Sequence, residues 1–345
     1  MSAGKHTGIA RMAVTAWLCL ALIFVMPMLM IQPEMEIQVP SAAEMTQPEA
    51  KLPIERSIQT ESAKDKGRVV RLLEEDGRVS QLTMEEYLWR VVAAEMPANF
   101  EPEALKAQAC AARTYTVRQQ EMQSTKHEQG DICTDSHCCQ AYITREEAAL
   151  RWGLNAGEYT RKITQAVAET DGLGILYQDA PIQALFFSSA PGRTTDAVEV
   201  WGNSVDYLKS VESPEGEEVP NYHTKVTLTA QEVKRRVQEQ YPAAELSGGE
   251  ENWFQNIVRG ESTAVSSLKL GGVTLTGSQV RNLFELRSPA FSVIWDGEHF
   301  VFDVTGYGHG VGMSQYGANA MARKGETFRT ILEWYYAPAQ VAALW

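Results

Sequence analysis

The sequence predicts a mixed α/β domain, and three observations lead to that fold class. From Gly67 to the C-terminus, short stretches typical of strands alternate with helical stretches that carry capping residues. Upstream of this region, an apolar run is typical of a membrane anchor, and a proline-rich acidic segment separates it from the domain. The 345 residues are 44% hydrophobic and 22% charged, so the chain can bury the core of one domain with one or two lobes.

The charge balance excludes one broad class of partner. The chain has 31 basic and 44 acidic residues, a net charge of −13. A negative field repels phosphates, so we expect no nucleic-acid partner.

The N-terminal region predicts a single-pass membrane anchor over residues 12–31. Twenty apolar residues in a helix span a bilayer, and Lys5 and Arg11 precede the run, which places residues 1–11 in the cytoplasm and the rest outside. The alternative is a cleaved signal peptide, but no small-x-small cleavage motif ends the run. Residues 32–66 hold four prolines and no aromatic residue, which predicts a disordered tether. The folded domain is therefore expected over residues 67–345.

Turn and capping signals place the main elements. Strands are predicted at 68–73, 79–83, 175–177, 184–188, 291–295 and 299–305. Helices are predicted at 83–96, 101–120, 145–152, 156–169, 231–240 and 277–286.

Glu95 interrupts an apolar pattern on the first of these helices. Leu88, Val91 and Val92 form a buried stripe, and position 95 continues it. Burial and the helix C-terminus both favour the neutral acid, so we expect a raised pKa and a role as general acid. The alternative is a structural pair with an arginine such as Arg113. Spacing alone leaves three roles open for Arg113. It could form a structural ion pair, contact a substrate hydroxyl, or shift the pKa of Glu95.

A polar loop contains a candidate metal site made from His127, Cys133, His137, Cys138 and Cys139. Zinc takes four nitrogen or sulfur ligands, and a site with four protein ligands is structural. A disulfide is the alternative, since the domain is expected outside the cytoplasm.

The segment 306–318 is rich in glycine and carries His309, Ser314, Gln315 and Tyr316. Its alternating glycines predict a strand-like stretch whose backbone is closely approached, either by a substrate or by another part of the chain. A triad of Ser188, His309 and Asp196 would need a nucleophile elbow, which the sequence lacks.

Four motifs, at residues 91–97, 111–115, 206–210 and 308–315, resemble the stage II sporulation protein D family in their order and content. This family comprises membrane-anchored lytic transglycosylases of sporulation engulfment. The resemblance implies cleavage of the MurNAc–GlcNAc bond of denuded peptidoglycan strands, leaving 1,6-anhydro-MurNAc ends. It implies that Glu95 is the catalytic acid and base, and that activity requires Arg113 and Lys209.

Aromatic residues that could stack on sugars, and polar residues in and near the motifs, are candidates for substrate binding: Tyr115, Ser188, Trp201, Tyr207, His309, Gln315 and Tyr316. The resemblance also implies a structural zinc ion and partners. The family's zinc ligands transfer to His127, Cys133 and Cys139. The fourth is Cys138 or His137, because Cys138-Cys139 stand where the family usually has His-Cys. Expected partners are glycan strands and the stage II sporulation proteins M and P, at the mother-cell septal membrane; homodimerisation stays open.

Two other functions compete with this interpretation. The first is a non-catalytic wall-binding amidase enhancer, since such proteins share this domain family. The second is a zinc-dependent hydrolase acting on stem peptides.

Overall fold

The computed structural model describes residues 63–122, 127 and 129–345. The predicted cytoplasmic tail, the transmembrane helix and the tether up to residue 62 lie outside the described residues. Within the described part of the chain, no helix combines the length and apolarity needed to cross a bilayer.

The folded part begins earlier than predicted. A single 3₁₀ turn spans Asp65–Gly67, and the Asp65 side chain is fully buried. Asp65, at the end of the predicted tether (residues 32–66), therefore belongs to the packed part of the chain. The acidic composition of this stretch gave no indication that Asp65 is buried.

Nine helices are found among the described residues. They are α1 (Met84–Glu95), α2 (Pro102–Glu121), α3 (Arg145–Trp152), α4 (Ala156–Glu169), α5 (Ala197–Trp201), α6 (Ala230–Gln240), α7 (Gly277–Phe284), α8 (Gln315–Arg323) and α9 (Phe328–Tyr335).

The strands of the described residues form five small sheets. They are β1 (Val69–Leu73), β2 (Val79–Thr83), β3 (Ile132–Cys133), β4 (Leu173–Tyr177), β5 (Ala180–Pro181), β6 (Phe186–Phe187), β7 (His223–Thr229), β8 (Phe254–Arg259), β9 (Val265–Leu270), β10 (Val273–Leu275), β11 (Phe291–Trp295), β12 (His299–Thr305), β13 (Met313–Ser314) and β14 (Gln340–Ala343). Their orders are β2-β1-β3, β10-β9-β8, β11-β12-β7, β13-β6 and β14-β4-β5.

Two hydrophobic cores divide the described residues into two lobes, as the length allowed. The first lobe (63–222 and 305–345) surrounds α2, whose alanines let α1, α4, α8 and α9 pack closely against it. The second lobe (223–304) has two antiparallel three-stranded sheets, with α6 and α7, around an aromatic cluster that includes Phe300 and Phe302. The fold class is mixed α/β, as predicted.

Local signals placed α1 accurately. Thr83 caps the helix by accepting a hydrogen bond from the Glu86 N–H at 3.2 Å. The helix ends at Glu95, because Pro97 disfavours helical geometry at Met96. The Glu86 carboxylate, however, pairs with Arg90 and Arg145 instead of completing a capping box.

The glycine-rich segment is a loop and not the predicted strand. Its four glycines at 306, 308, 310 and 312 all have positive φ and alternate with residues of ordinary φ, and β13 and α8 follow at once. At Gly308, with φ at 115°, a Cβ atom would lie 2.7 Å from Cβ of Phe187. At Gly312 it would lie 2.1 Å from the carbonyl oxygen of Leu185. The glycine-rich segment is closely approached, as expected, and the segment that approaches it is residues 185–187 of the same chain.

Candidate active site

Glu95 lies in the last turn of α1, where two hydrogen bonds hold its carboxylate. The backbone N–H of Ala141 donates to Oε1 at 2.7 Å, and Nε2 of Gln315 donates to Oε2 at 3.1 Å. Burial raises the pKa of Glu95, and these two donors oppose the rise. The side chain is therefore a carboxyl group with a raised pKa and a fixed orientation, as the stripe on α1 predicted.

Two cavities meet at Glu95. The larger has a volume of about 820 Å³, the smaller about 360 Å³, and both are lined by Glu95, Ser188 and Gln315. Because this trio lines both cavities, the two cavities adjoin at the Glu95 carboxyl group, and together they are called the groove.

Glu95 is the one carboxyl group that lines either cavity in the described part of the chain. Glycosidases that use water as nucleophile normally need two carboxyl groups facing each other across the bond. Among the residues that the structure describes, the groove therefore has one acid and no matching second carboxylate.

Gln315 is placed by a buried polar network at the start of α8. Ser314 caps this helix through the Gly317 N–H and donates to the buried carboxylate of Glu215. The same carboxylate accepts hydrogen bonds from the Ala190 N–H and from Ser213, each at 2.6 Å. Glu215 thus fixes the loop that presents Gln315 to Glu95.

Five predicted substrate residues reach the groove. Tyr115, Ser188, His309 and Gln315 line the larger cavity, and Tyr316 lines the smaller one. The Tyr316 ring packs edge-on against Phe100, with ring centroids 4.9 Å apart. Each of the two cavities is therefore lined by at least one aromatic ring.

His309 holds the glycine loop and has no free nitrogen. Its Nε2 lies 3.0 Å from the carbonyl oxygen of Phe186, and its Nδ1 accepts a hydrogen bond from the Val311 N–H at 3.1 Å. Burial lowers the pKa of His309 to about 4. The side chain is therefore neutral at neutral pH and fully occupied. Asp196 instead caps α5 through the Val198 N–H, so no triad forms with Ser188.

Three predicted residues are not brought to the groove: Lys209, Trp201 and Tyr207 line neither cavity. Lys209 donates to Ser204 at 2.6 Å and lies 3.4 Å from the Asp196 carboxylate. The structure gives these residues no contact with Glu95.

Arg113 is likewise removed from the groove. Its side chain is fully buried and pairs with the buried Asp65, with Nη2 to Oδ2 at 2.6 Å and Nε 3.1 Å from each oxygen. It also donates to the carbonyl oxygen of Leu173 at 2.9 Å. Of the three roles left open for Arg113, this geometry favours a structural ion pair, because the side chain pairs with Asp65 and lines neither cavity. Asp65 lies in the stretch that was predicted to be the tether.

The cysteine-rich loop brings four donor atoms together. The ligand atoms of His127, Cys133, Cys138 and Cys139 all lie within 4.8 Å of one another. Nε2 of His127 lies 3.2 Å from Sγ of Cys139 and 3.7 Å from Sγ of Cys138. The four cysteines of the described residues are free thiols, so the structure does not form the alternative disulfide.

These donors fit a tetrahedral zinc ion. Zinc bonds of 2.0–2.3 Å place neighbouring ligand atoms about 3.5 Å apart, close to the distances found. Cys138 would supply the fourth ligand, since its Sγ lies within the cluster. His137 points away, with its side chain 95% exposed and its Nδ1 3.3 Å from Asp135. The resemblance left these two residues open, and the geometry selects Cys138.

The metal cluster and Glu95 are joined by a short piece of backbone. Cys139 is followed by Gln140, whose side chain donates to Tyr87 and Thr116, and then by Ala141, whose N–H holds Glu95. Ligands at Cys138 and Cys139 would therefore fix the donor that orients the acid.

Sequence reasoning missed three features of the site. The Ala141 N–H is a backbone group and carries no sequence signal. Glu215 lies in an acidic stretch that reads as solvent-exposed. Arg281, which lines the larger cavity, sits on α7 in the second lobe, and only the tertiary structure brings it close.

Comparison with known proteins identifies the family. Residues 74–177 match the family model SpoIID, described as Stage II sporulation protein. The chain is 38% identical over 267 residues to Stage II sporulation protein D of Bacillus subtilis, covering 76% of both chains. It is 36% identical over 265 residues to the same protein of Bacillus amyloliquefaciens, covering 76% of this chain and 75% of the relative.

A more distant relative is the amidase enhancer of Bacillus subtilis. It is 27% identical over 298 residues, which cover 71% of this chain but 39% of the relative. The two sporulation proteins are more similar to this chain in sequence, and their alignments cover similar shares of both proteins. This chain belongs to the Stage II sporulation protein D family.

Proposed function

We propose that this chain is a peptidoglycan lytic transglycosylase in which Glu95 acts alone as acid and base. The observation that carries the proposal is a single carboxyl group with a raised pKa at the junction of two cavities. Glycan strands are long, and two adjoining cavities offer room beside Glu95 for more than one sugar of such a strand.

The first half of the reaction needs a proton on the leaving oxygen. A raised pKa increases the fraction of Glu95 that is protonated at a given pH, and this acid donates its proton to the glycosidic oxygen. The C1–O bond then breaks, and positive charge develops on the MurNAc ring.

The second half needs a base and a nucleophile. The Glu95 carboxylate, held by the Ala141 N–H and by Gln315, takes the proton of the C6 hydroxyl of the same MurNAc residue. The C6 oxygen attacks C1 and closes the 1,6-anhydro ring. An intramolecular nucleophile gains effective concentration and requires no second carboxylate to activate water. This accounts for the single acid in the groove.

The cysteine-rich cluster is proposed to hold a structural zinc ion through His127, Cys133, Cys138 and Cys139. Four protein ligands leave no open position on the ion, so zinc would stabilise the loop and take no part in bond cleavage. This argument disfavours a zinc-dependent hydrolase of stem peptides.

Family membership also leads us to propose a membrane anchor and a location at the septum. The proposed partners are the stage II sporulation proteins M and P. The amidase-enhancer relative names a second role, in which the groove would bind glycan without cutting it. The acid at the junction of the cavities favours the enzyme, because binding alone needs no carboxyl group with a raised pKa.

The decisive experiment is product analysis on denuded glycan strands by mass spectrometry. We expect the wild-type chain to form 1,6-anhydro-MurNAc ends and Glu95→Gln to lose at least about 100-fold in rate. Glu326→Gln, at an exposed position, is the matched control. Binding without any anhydro product in the wild type would assign the chain to the enhancer role.

A further inference from the structure

Arg281 is the permanent positive charge on the wall of the larger cavity. This cavity is lined by Glu95 and Tyr115 from the first lobe and by Arg281 from α7 in the second. The only other basic side chains on the wall in the described residues are histidines. One of them, His309, has a pKa of about 4 because it is buried. Arginine stays protonated at any physiological pH.

The guanidinium is held in place from one side only. Its Nε donates to the carbonyl oxygen of Arg287 at 3.1 Å, and this oxygen also accepts the Gly308 N–H at 2.9 Å. Arg281 is thereby tied to the glycine loop of the active site. Its two terminal nitrogens donate to no group in the described part of the chain and are not enclosed, so they remain available to a ligand.

No carboxylate pairs with Arg281 among the described residues, although the chain has 44 acidic side chains. Other arginines do find partners: Arg71 binds Asp131, Arg113 binds Asp65 and Arg145 binds Glu86. Arg281 is partly buried, and burial lowers its pKa because the charge loses part of its hydration. An anion from outside the chain would replace that hydration.

We propose that Arg281 binds the lactyl carboxylate of a MurNAc residue and so selects strands that lack stem peptides. The inference rests on the proposed function, which makes the ligand a peptidoglycan strand. The sugars of such a strand are uncharged except for the lactyl group of MurNAc. That group is a free carboxylate only where the stem peptide is absent, because the peptide joins it as an amide. A guanidinium can bind a carboxylate with two parallel hydrogen bonds, which a neutral amide does not match.

The test compares two tetrasaccharides of alternating GlcNAc and MurNAc that differ only at the lactyl group. One has free carboxylates, and in the other each is converted to the N-methylamide, which removes the charge and adds little bulk. Affinity is measured by calorimetry with the full chain carrying Glu95→Gln, so that nothing is cleaved. We expect the free acid to bind about 10- to 100-fold more tightly than the amide.

Adding Arg281→Gln should remove this preference by weakening only the binding of the free acid, while Arg281→Lys should retain part of it. Arg235→Gln, which removes a charge from the exposed face of α6, should leave the preference unchanged. Equal affinity for both glycans, or a preference that survives Arg281→Gln, would overturn the inference. Anhydro-product formation by the wild-type chain tests the proposed function separately, since it does not depend on the comparison of the two glycans.

Discussion

Nε2 of Gln315 donates a hydrogen bond to Oε2 of Glu95 at 3.1 Å, although the two residues are 220 positions apart. The contact joins the end of α1 to the start of α8. Burial favours the neutral acid at Glu95, whereas this donor favours the carboxylate. A carboxyl group that first donates a proton and then accepts one must be able to adopt both its neutral and its ionised form. The hydrogen bond from Gln315 stabilises the ionised form against the effect of burial.

Replacing Gln315 by leucine removes this donor, so the pKa of Glu95 should rise further. The expected result is an alkaline limb of the pH–rate profile that moves to higher pH, with a lower maximal rate because the carboxylate loses an orienting contact. The measurement is the rate of anhydro-end formation across pH. Gln231→Leu on the exposed face of α6 is the control. A variant profile that overlays the wild type would show that the contact does not influence the acid.

Glu95→Gln should stabilise the fold at high pH. The pKa of Glu95 is raised in the folded chain above the ordinary value of 4.5. Above the raised pKa the group is ionised in both states, and only the folded chain bears the cost of a desolvated charge. As pH falls through the raised pKa towards 4.5, the folded chain takes up the proton first and that cost disappears.

Melting temperatures should therefore be higher for Glu95→Gln than for the wild type at pH 8, and the difference should narrow as pH falls towards 4.5. Glu326→Gln, in an exposed loop, should show no such trend. A constant difference across this range would mean that Glu95 has an ordinary pKa in the folded chain.

The elements that depend on local signals were predicted well. The bounds of α3, α4, β2, β11 and β12 match the sequence prediction residue for residue. Each has turn or capping residues at its ends and a clear apolar period between them. The glycine loop, α8 and α9 were missed because their conformation depends on the backbone of residues 185–187 and on buried contacts from distant segments.

In the candidate site, too, residues with local sequence signals were predictable and residues that depend on distant contacts were not. Glu95 was predictable because an acid interrupts an apolar stripe within one helix. The partner of Arg113 was not, since Asp65 lies 48 positions away in a stretch with the composition of a linker. Lys209 entered through family resemblance alone, and its side chain contacts Ser204 and Asp196.

Breaking the pair of Arg113 and Asp65 should destabilise the fold without changing the groove directly. Arg113→Met leaves the Asp65 carboxylate buried and unpaired, which typically costs about 3–5 kcal/mol of unfolding free energy. Denaturant unfolding measures this loss. The double variant Asp65→Leu with Arg113→Met removes both charges and should recover part of the stability. At a temperature where Arg113→Met remains folded, its rate of glycan cleavage should stay within several-fold of the wild type; a folded but inactive variant would instead indicate direct action on substrate.

The zinc content of two variants should show whether Cys138 or His137 is the fourth zinc ligand. Zinc measured by atomic emission on the purified chain is expected at one ion per chain, because four donors lie within 4.8 Å of one another. Cys138→Ala should lose the ion, whereas His137→Ala should keep it, since the His137 side chain is 95% exposed and contacts Asp135 instead. Retention of zinc by Cys138→Ala with its loss from His137→Ala would reverse the ligand assignment.

Removal of the ion by a chelator should lower the melting temperature and reduce glycan cleavage together. Ligand binding couples to folding, so the loop from Cys133 to Cys139 loses its restraint when the metal leaves. The Ala141 N–H then no longer holds Oε1 of Glu95 at a fixed position, and a donor that opposes the raised pKa is weakened. The alkaline limb of the pH–rate profile should therefore move to higher pH in the chelated protein, and added zinc should restore it. If chelation abolished turnover with no change in melting temperature, the ion would belong to the chemistry and the structural role would be wrong.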